Sequence, residues 1–127
     1  MRKLFIFISV ISINIITATG SYGEQYWAKT YSWGMDETTS CIQQTSDGGY
    51  IVGGTQCIPM PLCYISVLKL DSSGDIVWQK TYGDVIVFPG LSIQQTSEGG
   101  YIAASRSGVG YGPIWVLKLD GSGGITW

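Results

Sequence analysis

Apolar residues in this chain fall in short runs, each closed by a cluster of glycine, serine and aspartate. The clearest run is Ile65-Ser-Val-Leu-Lys-Leu70, closed by Asp71-Ser-Ser-Gly-Asp75 and followed by Ile76-Val-Trp78. Short runs rich in β-branched and aromatic residues, separated by turn residues, predict strands. The pattern places strands at 42–45, 50–55, 65–70 and 76–82, then at 93–96, 101–105, 114–119 and 125–127. Ser46-Asp-Gly-Gly49 and Asp71-Ser-Ser-Gly-Asp75 read as hairpin turns, in which glycine supplies the positive φ that a tight reversal demands.

The two sets of strands are copies. The stretch from Ile65 to Trp78 returns as Ile114 to Trp127 with ten of fourteen positions identical. Cys41-Ile-Gln-Gln-Thr-Ser-Asp-Gly-Gly-Tyr50 returns as Ser92-Ile-Gln-Gln-Thr-Ser-Glu-Gly-Gly-Tyr101, and Trp27-Ala-Lys-Thr-Tyr31 matches Trp78-Gln-Lys-Thr-Tyr82. The connecting loops, 56–64 and 107–113, differ by two residues. The recurring positions Trp27, Trp78 and Trp127, Asp71 and Asp120, and Gly74 and Gly123 mark the structural repeat.

The third strand of each copy chooses the architecture. Ser66, Leu68 and Leu70 point one way and Ile65, Val67 and Lys69 the other; Trp115, Leu117 and Leu119 oppose Ile114, Val116 and Lys118. An antiparallel sheet with one wet face alternates apolar and polar residues, whereas here both faces are largely apolar. Such a sheet has to be sandwiched between neighbours. Four-stranded antiparallel meanders repeated every 40 to 50 residues and stacked face to face are β-propeller blades. An indole at the start of each fourth strand fills the gap between adjacent sheets and buries roughly 150–250 Å². Lys29 and Lys80, two residues on, lay their stems over that surface.

The run Leu68-Lys-Leu-Asp-Ser-Ser-Gly-Asp-Ile-Val-Trp78 resembles the tryptophan-docking repeat of quinoprotein-like propellers. Together with Ile42-Gln-Gln-Thr-Ser-Asp-Gly-Gly-Tyr50 and the Trp-x-Lys-Thr-Tyr element, it is similar to secreted prokaryotic β-propeller repeats found in large cell-surface proteins. The resemblance covers 26–127. It implies an all-β chain of about two propeller blades, an incomplete propeller: a lone outer strand at 26–32, blade one at 41–83 and a truncated blade two at 92–127. Two blades close no ring, so the expectation is a fragment of a longer chain, with the remaining blades supplied by the missing part of the chain or by other copies.

Composition narrows the function. Residues 1–23 combine Arg2 and Lys3 with an apolar run from Leu4 to Ile16 and small residues after it, the layout of a secretory signal peptide. The run is shorter than the ~20 residues of a spanning helix, so no stable membrane span is expected after cleavage. Cleavage leaves five basic side chains against nine acidic ones, a poor match for nucleic acid. Export to an oxidising compartment makes Cys57 and Cys63 candidates for a disulfide that pins the loop between them, and leaves Cys41 as a small strand residue.

Histidine is absent, which removes the commonest general base and metal ligand. Asp71, Ser73 and Asp75 have the alternate spacing of a calcium loop, but the second copy reads Asp120-Gly-Ser-Gly-Gly124 and no later glutamate sits where a loop would need it. A turn in which the aspartate accepts backbone N–H groups explains both copies. Asp47 and Glu98 occupy equivalent turns with nothing to bring them together, and the glycines of 108–112 join two strands rather than a strand and a helix. Trp33, Tyr64 and Tyr111 are candidates for a carbohydrate-binding surface, against the commoner role of aromatics in packing. The sequence therefore predicts no catalytic residue, no cofactor and no metal. Its reading is an exported, non-catalytic scaffold or binding module at the cell surface or outside the cell, with an unknown protein or glycan ligand. The resemblance also carries an alternative, a fragment of a quinoprotein-like oxidoreductase holding a quinone and calcium. A carbohydrate-binding propeller is a third.

Overall fold

The computed structural model describes residues 14–19, 25–32, 36–57, 63–83, 90–106 and 112–127, up to Trp27 by their backbone alone. The chain divides into two compact units, Met1–Met35 and Asp36–Trp127. In the first, β1 (Asn14–Thr19) pairs antiparallel with β2 (Gln25–Thr30), Thr17 lying opposite Trp27. The strand expected to stand alone at 26–32 therefore has a partner, and that partner comes from the segment expected to be a signal peptide.

The second unit holds two antiparallel meanders. One has four strands in the order β3 (Asp36–Gln44), β4 (Tyr50–Cys57), β5 (Cys63–Leu70) and β6 (Ile76–Tyr82); the other has three, β7 (Ser92–Gln95), β8 (Tyr101–Arg106) and β9 (Ile114–Leu119). The chain is all-β in its described residues, and these strands close no ring. Beyond β9 the backbone turns back. Ile125 bridges Leu119, Thr126 N–H donates to Lys118 O at 2.8 Å, and Lys118 N–H donates to Trp127 O at 3.0 Å. The expected last strand at 125–127 is thus present as a bridge to β9 rather than as a strand of its own.

Four reversals share one geometry. Thr45 N–H donates to Gly49 O at 2.9 Å and Gly48 N–H to Thr45 O at 2.9 Å; Thr96 N–H to Gly100 O and Gly99 N–H to Thr96 O repeat the pair at 2.9 and 3.0 Å. Gly48 and Gly99 take φ of 82° and 83°, the left-handed region that glycine enters at no steric cost. The second glycine of each pair serves a different need. A Cβ on Gly49 would lie 2.2 Å from Leu70 O, and one on Gly100 2.3 Å from Leu119 O, so the neighbouring strand passes too close for any side chain.

The two sheets are separate and packed face to face. Val67 (0% exposed), Ile65, Ile51 and Tyr82 from the front of the first sheet meet Leu117, Leu119, Ala103, Tyr101 and Ile93 from the back of the second, with Leu91 beside them. The approach is close: a Cβ on Gly53 would sit 2.7 Å from Leu91 Cδ2 and 3.3 Å from Ile93 Cγ2. Leu68, on the opposite face of β5, is only 2% exposed, so the middle of the first sheet is dry on both sides. Its margins on that face are open, at Ile42 and Val77.

Candidate binding surface

The inter-sheet contact is built from residues that recur in both copies. Trp78, the third residue of β6, lies opposite Lys69, and its ring meets Tyr101 edge-on with centroids 5.8 Å apart. Its Nε1–H donates to Gly121 O at 3.1 Å, while Tyr82 Oη–H donates to Gly123 O at 2.8 Å. The turn at 120–124 therefore lies over the indole. Gly123 takes φ 77°, and a Cβ on it would fall 3.0 Å from the Trp78 ring and 3.0 Å from Tyr82 Oη. Burial pushes the Tyr82 phenol up to about 12, with the Asp120 charge adding to the effect. At the other margin, Gln95 N–H donates to Gln43 Oε1 at 3.1 Å and Ser46 N–H donates to Gln95 Oε1 at 2.8 Å. These glutamines stitch sheet to sheet; the Gln-Gln pair repeated unchanged in both copies was the signal in the sequence, and its role was not read from it.

The aspartates of the hairpins are turn acceptors. Asp71 Oδ1 accepts from Ser73 N–H at 2.8 Å and Asp75 N–H at 2.9 Å, and Asp120 Oδ1 accepts from Ser122 N–H and Gly124 N–H, each at 2.8 Å. The Ser122 hydroxyl, at 2.7 Å, and these N–H groups hold the Asp120 carboxyl below its ordinary value. Gly74 and Gly123 provide the positive φ in these turns, 76° and 77°. Asp71 Oδ1 and Asp120 Oδ1 thus serve the same turn role in both copies, closing the hairpin onto backbone N–H groups. No group of three or more potential metal ligands occurs among the described residues.

Each second-strand turn also carries an ion pair. Lys69, 4% exposed, donates from Nζ to Asp47 Oδ2 and to Leu70 O, both at 2.8 Å; Lys118 pairs with Glu98 at 3.1 Å in the second sheet. Lys69, the Thr45 hydroxyl and Gly49 N–H hold the Asp47 carboxyl well below the usual carboxylate range. A depressed folded value gives stability that is full above the unfolded carboxylate value and is lost as pH falls towards the folded one. Asp47 is 60% exposed, so solvent screening keeps the effect under about 1 kcal/mol. The urea midpoint of the unaltered protein should exceed that of Asp47→Asn at pH 6. The two should converge progressively below about pH 4; a pH-independent gap would refute the assignment.

Cys57 and Cys63 face each other as a directly paired position of β4 and β5 and are joined by a disulfide, Cα to Cα 4.0 Å. The loop that this bond was expected to pin, 58–62, lies outside the described residues. A short loop closed by a disulfide restricts the unfolded chain by about 2 kcal/mol. Cys57→Ser/Cys63→Ser should lower the unfolding free energy by that amount, and reductant should then have no further effect on the variant. Cys41 carries no disulfide; its thiol donates to Gly53 O at 3.7 Å, and burial pushes its pKa up, which disfavours the thiolate.

Trp33 and Tyr111 lie outside the described residues, as does the side chain of Trp27, and Tyr64 is half-buried on β5. Among the described residues, Trp127 is an exposed aromatic, 63% exposed, at the edge of a cleft of about 270 Å³ bordered by Glu98, Lys118, Asp120 and Thr126. Among the described residues, no helix is long and apolar enough to cross a membrane. The arrangement defines an all-β protein of stacked antiparallel meanders, with a large exposed apolar face on the second sheet. No family model, curated protein or solved structure matches the chain.

Proposed function

We propose that this chain is an exported, non-catalytic scaffold of β-propeller type, acting at the cell surface or outside the cell through the faces and loops of its stacked sheets. The observation that carries this reading is the front-to-back packing of the two sheets. Val67, Trp78 and Tyr82 of one meet Leu117, Tyr101 and the 120–124 turn of the other. Stacking of that kind extends by repetition and yields a rigid support for binding loops. The basic start and apolar run of residues 1–23 support export, and the bond between Cys57 and Cys63 suits an oxidising compartment. Within the sheets, Asp47, Asp71 and Asp120 are committed to turns, Lys69 to an ion pair, and Gln43 and Gln95 to sheet-to-sheet hydrogen bonds.

The test is a titration of the purified protein with pyrroloquinoline quinone and calcium, followed by absorbance and by thermal unfolding. Neither should change. Stoichiometric uptake of the quinone with a rise in the unfolding temperature would replace the scaffold reading with the oxidoreductase one.

A further inference from the structure

The interface between the two sheets is half repeated. Its front side is made in the first sheet by Gln43, Ile51, Ile65, Val67 and Trp78, all engaged with the back of the second sheet. The equivalent residues of the second sheet are Gln94, Ile102, Ile114, Val116 and Trp127, identical at every one of these positions. Strand pairing gives them the same placement. Ile51 pairs Lys69 and Ile102 pairs Lys118; Lys69 pairs Trp78, and Lys118 is hydrogen-bonded to Trp127. In the second sheet, however, this face is open. Ile114 is 79% exposed, Val116 40% and Trp127 63%, where Ile65 and Val67 are at 1% and 0%.

We infer that the front face of the second sheet, centred on Val116 and Trp127, docks the back face of a further sheet of this same repeat. The occupant is specified by the interface already formed. It presents a Leu-x-Leu third strand against Val116 and an aromatic residue against the Trp127 ring. Its Asp-x-Ser-Gly turn offers a carbonyl to Trp127 Nε1–H. A backbone N–H from its first strand reaches Gln94 Oε1, as Gln95 N–H reaches Gln43. One difference adjusts the fit. Ala104 stands where the first sheet has Gly53, so the incoming first strand must be set back by a methyl group relative to Leu91 and Ile93. A second copy of the chain is not the occupant. Head-to-tail stacking would need the back of its first sheet, where Ser66, Leu68 and Leu70 are only between 2% and 4% exposed. This inference deepens the scaffold reading and rests on it; the quinone titration tests that reading independently.

The experiment appends one further copy of residues 79–127 after Trp127 of the full chain and follows amide hydrogen exchange. Amides of the appended third strand should be protected, and Val116→Lys or Trp127→Ala should speed their exchange by about tenfold or more while leaving the first two sheets unchanged. In the unextended chain the same substitutions should leave the unfolding midpoint nearly unmoved. An unprotected appended sheet, or one equally protected with Val116→Lys, would overturn the inference. So would concentration-dependent dimerisation of the unextended chain that Val116→Lys abolishes, which would make the face a self-association surface. Glycan binding lost on Trp127→Ala in the unextended chain would overturn it in favour of a sugar site.

Discussion

Replacing Trp78 by alanine should lower the unfolding free energy of the second unit by about 3 kcal/mol, while the same change at Trp127 should stay within about 0.5 kcal/mol. Nothing in the local sequence separates these two residues, since each closes the same strand–turn–strand motif. Their surroundings do. Trp78 is half-buried, meets Tyr101 edge-on and donates to Gly121 O, whereas Trp127 is 63% exposed. The loss at Trp78 combines apolar area returned to water, an edge-to-face contact and a carbonyl deprived of its donor. It stands at the low end of the range for aromatic truncation because the indole is not fully enclosed. Urea unfolding followed by far-ultraviolet circular dichroism would measure both variants. Equal costs would mean that the sheets do not pack through this indole.

The strands with an apolar pattern were legible from the residues alone. The 76–82 and 114–119 runs coincide with β6 and β9, and 50–55 and 65–70 fall short of β4 and β5 by two residues each. That shortfall has a physical reason. Cys57 and Cys63 continue the pairing of β4 and β5 past the last apolar positions, and the bond between them ties the ends. The larger miss is β3. The sequence places a strand at 42–45, but β3 begins at Asp36, because Asp36-Glu-Thr-Thr-Ser40 has no apolar alternation to announce it. Those residues are held by backbone pairing with β4 and by the hydroxyl contact of Thr38 with Thr55 at 2.6 Å, neither of which leaves a hydropathy signature. The stacking itself was legible because Val67 and Leu68, neighbours on opposite faces, are both apolar, and both are buried. What periodicity could not supply was which face meets which. That depends on the glutamine ladder and the Trp78 and Tyr82 hydrogen bonds, which are visible only once the sheets are side by side.

The long β3 makes its own prediction, at Gly54. This residue takes ordinary strand geometry, so its lack of a side chain is not a matter of φ. It lies opposite Thr39, where the pairing of β3 with β4 slips by one residue at Ser40. A bulge of this kind bends its strand across the partner. As a result, a Cβ on Gly54 would fall 2.0 Å from Thr38 O and 3.0 Å from its carbonyl carbon. Both obstacles are backbone and cannot rotate away, so Gly54→Ala has to push β3 off the sheet edge. The cost should be about 3 kcal/mol, the upper part of the range for overpacking. The equivalent position in the second sheet is Ser105, whose hydroxyl donates to Gly90 O at 3.2 Å. A side chain is accommodated there because β7 pairs with β8 only as far as Ala104, leaving no strand over Ser105. Ser105→Ala should therefore cost only the one hydrogen bond, about 1 kcal/mol. Hydrogen exchange separates the cases further. Gly54→Ala should expose the amides of 36–39 selectively before global unfolding, whereas Ser105→Ala should leave them protected. If both variants unfold at the same denaturant concentration, β3 does not cross β4 as closely as its bulge requires.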